Sequence, residues 1–185
     1  MKKIVSTICI LFLLFSIPTY ADNRLEKLQA FKIIEKELQP QSLVNREKFA
    51  KIIIELLGEK DSLGLYQNVE LSDVNSNSKY KKYIDAVIRK DLMSSNNGKF
   101  SPKKNLNVNE AITVIIRLLG YNDEILEGKW PSNYIIKGLD LNLINKNIVE
   151  KNELNYKVLS NIITKALETN VLKKELNNSR YFISY

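Results

Sequence analysis

The chain has 185 residues, 44% hydrophobic and 26% charged, and its 28 basic against 21 acidic residues give a net charge of +7. It holds no histidine and one cysteine, Cys9, which removes the commonest general base, the usual zinc ligand sets and a disulfide framework. The positive excess is mild: it fits an anionic envelope polymer as partner, or the mixed surface of any helical domain, and no dense Lys/Arg stripe with interleaved aromatics calls for nucleic acid.

Residues 1–21 read as an export leader. Lys2 and Lys3 are followed by an almost continuous apolar run from Ile4 to Ile17 and then by Thr19-Tyr20-Ala21, the kind of end a signal peptidase reads. That run is shorter than the roughly 18 to 20 residues a membrane span needs, so cleavage before Asp22 is expected, with no membrane association afterwards. Cys9 falls inside the leader, leaving the exported part without thiol chemistry. Its stability must then come from a packed core, for which residues 22–172 are long enough.

From Arg24 to Leu38 the apolar residues Ala30, Ile33, Ile34 and Leu38 fall on one helical face, and Pro40 stops the pattern. Asn45 then stands where a side-chain oxygen caps a helix, with Lys48 at the position of a capping-box acid. Phe49, Ile53, Leu56 and Leu57 make the next stripe, and Gly58 ends it as a left-handed cap would. Residues 59–70 form a connector of mixed charge without a strong period.

The stretch LSDVNSNSKYKKYIDAVIRKDLMSSNNGKFSPKKNLNVNEAITVIIRLLGY, Leu71 to Tyr121, organises the rest. Ile84, Val87, Ile88 and Leu92 form one helical stripe, Ala111, Ile115, Leu118 and Leu119 another, and the Gly98 turn separates them. Pro102, Leu106, Asn107 and Gly120 repeat Pro40, Val44, Asn45 and Gly58 at one common offset, and Glu110 completes a capping box with Asn107. Trp130, Tyr134, Ile135, Leu139, Leu143 and Ile144 overlay Lys79, Tyr83, Ile84, Ile88, Leu92 and Met93. Leu154, Asn155, Leu159, Ile163, Ala166 and Leu167 overlay Leu106 onward in the same way. The expected fold is mainly α: three helix-loop-helix repeats, about residues 24–58, 71–120 and 128–168, each too small to bury its stripes alone. The tail 173–185 ends in RYFISY, which docks on the bundle or forms a short extended piece.

These residues resemble the S-layer homology family, modules that hold surface proteins on the walls of Gram-positive bacteria. Leu71-Ser72-Asp73-Val74 is similar to the family's F-x-D-V opening, Tyr83-Ile84 to its first helix start, Gly98-Lys99-Phe100-Ser101-Pro102 to its D-G-x-F-x-P loop, and Leu106 to Gly120 to its second helix. The resemblance implies a pseudo-threefold helical bundle whose grooves bind a secondary cell-wall polysaccharide, often pyruvylated, through a T-R-A-E type motif opening each second helix. A helix start presents free amides and an arginine fork matches a carboxylate, so the motif suits an anion. In this chain it reads Asn45-Arg46-Glu47-Lys48, then Asn107-Val108-Asn109-Glu110, then Asn155-Tyr156-Lys157-Val158, so only the first copy keeps the arginine.

The resemblance therefore points to Arg46 as the carboxylate-binding residue, with Asn45 and Lys48 beside it. Asp73 is a groove residue or a cap on its own backbone, and Trp130 is a ring stacking on a sugar face or a core residue. No catalytic residue, metal ligand or cofactor is expected, because no acid stands apart from the helix-surface acids and no Gly-rich phosphate loop appears. The chain reads as a noncatalytic, secreted wall or surface protein anchored through an anionic polysaccharide. The alternative is a repeat domain that docks another surface protein without binding glycan.

Overall fold

The computed structural model describes residues 23–174 and 181–184. The leader expected at residues 1–21 lies outside the described residues. Seven α-helices follow in order: α1 (Arg24–Ala30), α2 (Arg46–Leu56), α3 (Lys81–Arg89), α4 (Val108–Leu118), α5 (Ser132–Asp140), α6 (Lys146–Lys151) and α7 (Tyr156–Leu167). A 3-10 helix covers Lys60–Leu65, and strands β1 (Val171–Lys174) and β2 (Tyr181–Ser184) pair antiparallel, so part of the tail is an extended hairpin. No described helix is long and apolar enough to cross a membrane.

The three longest helices start alike. Asn45, Asn107 and Asn155 are extended residues whose side chains accept from the backbone N–H of Lys48, Glu110 and Val158, satisfying a donor the helix leaves free. Only Asn107 has the reciprocal partner, Glu110, whose carboxylate accepts the Asn107 N–H at 3.1 Å. Asn107→Ala is expected to lower stability by about 1 to 2 kcal/mol, read from the urea midpoint; an unchanged midpoint would deny the cap its role. At the other end, Gly58 and Gly120 take positive φ of 68° and 92°, the left-handed turn that stops α2 and α4.

Immediately before these helices the backbone segments pair with one another, Leu43 with Asn155, Asn45 with Asn105 and Asn107 with Glu153. Leu106 N–H donates to Val44 O at 2.8 Å and Val44 N–H to Leu154 O at 3.2 Å. Outward from this junction α2 lies on α3, α4 on α5, and α1 on α7. Phe49, Ile53, Ile84, Ile112, Ile116, Tyr134 and Leu159 are buried between the helices. A Cβ at Gly138 would stand 2.7 Å from Ile112 Cγ1, so a glycine there lets α5 approach α4 this closely.

The helix expected from Arg24 to Leu38 stops at Ala30. Lys32 takes φ 60°, and the N–H groups of Ile33 and Ile34 both turn back to Leu28 O, which swings Ile34 into the core. The same device follows α3, with Asp91 at φ 54° and Leu92 and Met93 bonding to Val87 O, and follows α5, with Asn142 at φ 57° and Leu143 and Ile144 bonding to Gly138 O. Apolar periodicity is blind to such a reversal, because the residues after it still land on the core side. Residues 35–38 are held instead by Gln29, whose amide donates to the carbonyls of Glu35, Lys36 and Leu38. The connector 59–70 is likewise more ordered than its composition suggests, since Lys81 and Asp85 bind it from α3.

Candidate binding site

A cavity of about 350 Å³ opens where α2, α4, the loop after α3 and the residues before α5 meet. Arg46 and Trp130 both line it, together with Ser94, Glu110, Thr113 and Arg117. Asn45, Lys48 and Asp73 do not.

Arg46 starts α2 and points at the neighbouring loop. Its Nε donates to Phe100 O and its Nη2 to Ser94 O, both at 2.7 Å, and the guanidinium lies 4.6 Å over the Phe100 ring. Only 13% of the side chain is exposed. Burial works against its charge and the Glu110 and Asp73 carboxylates support it, with burial prevailing; an arginine so shifted still remains cationic at neutral pH. Nη1 sits 3.8 Å from Glu110 Oε1, beyond hydrogen-bond reach, and is the nitrogen with donors to spare.

Asp73 grips the same loop from the other side. Its two carboxylate oxygens accept the N–H groups of Phe100 (2.9 Å) and Ser101 (2.7 Å), so it chiefly caps a distant loop, where a cap on its own turn was one expectation. Burial alone would raise its carboxyl, but these backbone donors outweigh that and hold it below the usual range. The Phe100 peptide is thus fixed by a cation at its carbonyl and an anion at its N–H. Asn97 and Gly98, both at positive φ, make the two-residue turn that sends the chain into this clamp.

Asn45 is occupied as the α2 cap, and the Lys48 ammonium acts on Glu35. Trp130 is 57% exposed, so the core alternative for it does not hold. Its indole N–H donates to Thr113 Oγ1 at 3.0 Å, tethering one edge of the ring and leaving most of it open.

Arg117 is a cavity residue that motif reasoning missed. It lies in the last turn of α4, and the family motif concerns only the first. Its Nε donates to the Tyr134 hydroxyl at 3.2 Å, Nη1 to Asp91 O and Nη2 to Asp123 Oδ2, both at 3.1 Å. Burial works against this guanidinium, yet Tyr134 and Asp123 outweigh it and strengthen the charge. The cavity therefore sets two fixed guanidinium groups and one carboxylate beside an open indole face. By contrast, Val108 and Tyr156, which take the motif's arginine position in the other copies, are fully buried.

Residues 70–107 match the family described as S-layer homology domain, a span that includes Asp73 and the clamped loop. An S-layer homology match thus covers α3 and the loop that leads into α4. Over 102 residues, 54% of its length, it is 29% identical to the "Surface layer protein" of Brevibacillus choshinensis and 26% identical to the "Middle cell wall protein" of Brevibacillus brevis. The chain spans 9% and 10% of the length of those two relatives. Among the described residues no group of acids or cysteines is placed to hold a metal ion.

Proposed function

We propose that this S-layer homology protein attaches to the cell wall by holding an anionic, pyruvylated secondary polysaccharide in the Arg46 and Trp130 cavity. The family and the relatives support a structural protein of the cell surface. The observation that carries the finer reading is the pairing of an exposed indole face with the spare donors of Arg46 in one cavity. A sugar ring has an apolar face that suits an aromatic, and a carboxylate substituent suits a guanidinium. Asn45 and Asp73 support the site at one remove, as cap and loop clamp. The helix pairs α1 and α2, α3 and α4, α5 and α7 are, in this reading, three degenerate copies of one unit, of which one retains a binding groove.

The test is sedimentation of the full chain with purified wall sacculi, with and without their secondary polymer. Trp130→Ala is expected to weaken polymer-dependent binding about tenfold, equivalent to about 1.4 kcal/mol, while leaving the urea midpoint nearly unchanged because the ring is largely exposed. Arg46→Lys keeps the charge and loses the fork, and is expected to weaken binding similarly. Arg46→Ala is the poorer probe: it also strips two backbone carbonyls of their donor and lowers stability by about 2 to 3 kcal/mol. Unaltered binding by folded Trp130→Ala would remove this cavity from the function. One further observation favours docking of another surface protein in that event. The ends of α2, α4 and α7 form an apolar opening of about 250 Å³ that includes Leu57, Leu118, Leu167 and Val171.

A further inference from the structure

We propose that the lysine cluster beside α1 is an anion site already filled by the protein's own Glu35 carboxylate, so that anionic glycan is excluded from this second groove. The inference rests on the reading of the helix pairs as copies of one unit, and it concerns a different face from the Arg46 cavity.

The backbone sets the correspondence. The left-handed residue after the first helix of each pair, Lys32 or Asp91, is followed by two N–H groups bonded back to one carbonyl, and the next residue is Glu35 or Ser94. Glu35 therefore stands where Ser94 borders the Arg46 cavity. Counting from the asparagine caps and the starts of the first helices, Lys48, Lys51 and Lys79 take the places of Glu110, Thr113 and Trp130, and Tyr156 takes that of Arg46. The same scaffold has exchanged an acid, a hydroxyl and a ring for three ammonium groups.

Two of those charges meet one carboxylate and the third acts on it from further off. Lys51 Nζ lies 3.0 Å from Glu35 Oε1 and Lys79 Nζ 3.6 Å from the same oxygen, while Lys48 adds to the field. Burial would raise the Glu35 carboxyl, but the lysines outweigh it and keep it anionic. The Glu35 and Lys51 side chains are only 19% and 22% exposed, while Lys79, at 71%, reaches in from solvent. The Tyr156 hydroxyl, in the buried wall behind, has no hydrogen-bond partner among the described residues. Burial and the charge of Glu35 hold its proton on, which leaves an O–H donor unspent near the carboxylate. The lysines that Glu35 occupies and the spare donor are of the kind an external carboxylate or phosphate would need if the internal carboxylate were removed.

The test uses inorganic phosphate as probe and backbone amide NMR of the full chain as readout. Wild type is expected to show no saturable shift at Lys48, Lys51 or Tyr80. Glu35→Ser, which installs the residue found at Ser94, and the near-isosteric Glu35→Gln are expected to show saturable shifts there, with phosphate bound at least tenfold more tightly. Adding Lys51→Met should abolish the gain. Saturation at these amides in wild type would overturn the proposal, as would folded variants that gain nothing. Loss of the folded spectrum in both variants would make Glu35 a structural ion-pair partner and overturn it equally. Arg46 and Trp130 signals report the other cavity separately, so failure of the glycan reading leaves this result standing.

Discussion

Replacing Ile115 with aspartate is expected to unfold the domain. Ile115 is 2% exposed on α4, the helix that meets α5, α6 and α7 and buries seven of its eleven residues. An aspartate there is an unpaired charge in an almost wholly buried apolar setting, which costs several kcal/mol, and the removal of a packed isoleucine adds to it. The sum, about 4 kcal/mol or more, is comparable to the whole net stability of a domain of this size. Urea denaturation followed by far-UV circular dichroism measures it. A variant folding with the wild-type midpoint would take α4 out of the core and dismantle the packing described above.

Lys81→Met should be nearly as damaging, for an electrostatic reason. Lys81 Nζ donates to Asp85 Oδ1 at 2.5 Å, to Asn68 Oδ1 at 2.6 Å and to Val69 O at 3.0 Å, and Asp85 is fully buried with its second oxygen lacking a partner. Without Lys81 the carboxylate keeps only the Val69 N–H at 3.0 Å, so the single substitution is expected to cost about 3 to 5 kcal/mol. The double variant Lys81→Met with Asp85→Leu should recover most of that loss, since an apolar pair replaces an ionic one at little net cost. Urea midpoints of the two single variants and the double variant form the measurement. A Lys81→Met protein within about 0.5 kcal/mol of wild type would show that water reaches Asp85 and that the pair is not dry.

Several features were legible in the sequence because they depend on near neighbours. Asn107 with Glu110, and Gly58 with Gly120, are read directly, since a cap acts on the backbone three residues away and a left-handed stop acts on its own turn. The apolar stripes through Ile84 and Ile115 are read for the same reason. Lys32 shows where such reading fails. Its positive φ reverses the chain after α1, yet a reversal that returns Ile34 to the core leaves the apolar count unchanged. Asp73 fails differently: its acceptors serve Phe100 and Ser101, and nothing local announces that pairing.

The candidate site was less legible than the fold. Arg46 stood out through a motif, but a motif does not reveal that Phe100 and Ser94 engage two of its nitrogens. Trp130 stood out through the aromatic position that the family resemblance gives it, and only packing decided that its ring is open and not buried. Arg117 escaped notice because an arginine in a last helical turn has an ordinary local explanation in the helix dipole.

The amino-acid order by itself determined where α2 and α4 start and stop and which faces they bury, because hydrogen bonds along a helix and side-chain caps span only a few residues. The tertiary structure alone decided which distant side chains share a cavity. Arg46, Ser94, Arg117 and Trp130 meet because α2, α4 and the segment before α5 are docked around one junction of extended backbone, and the angles of that docking are set by the summed packing of Phe49, Ile112, Gly138 and Tyr134, which no short stretch of sequence contains.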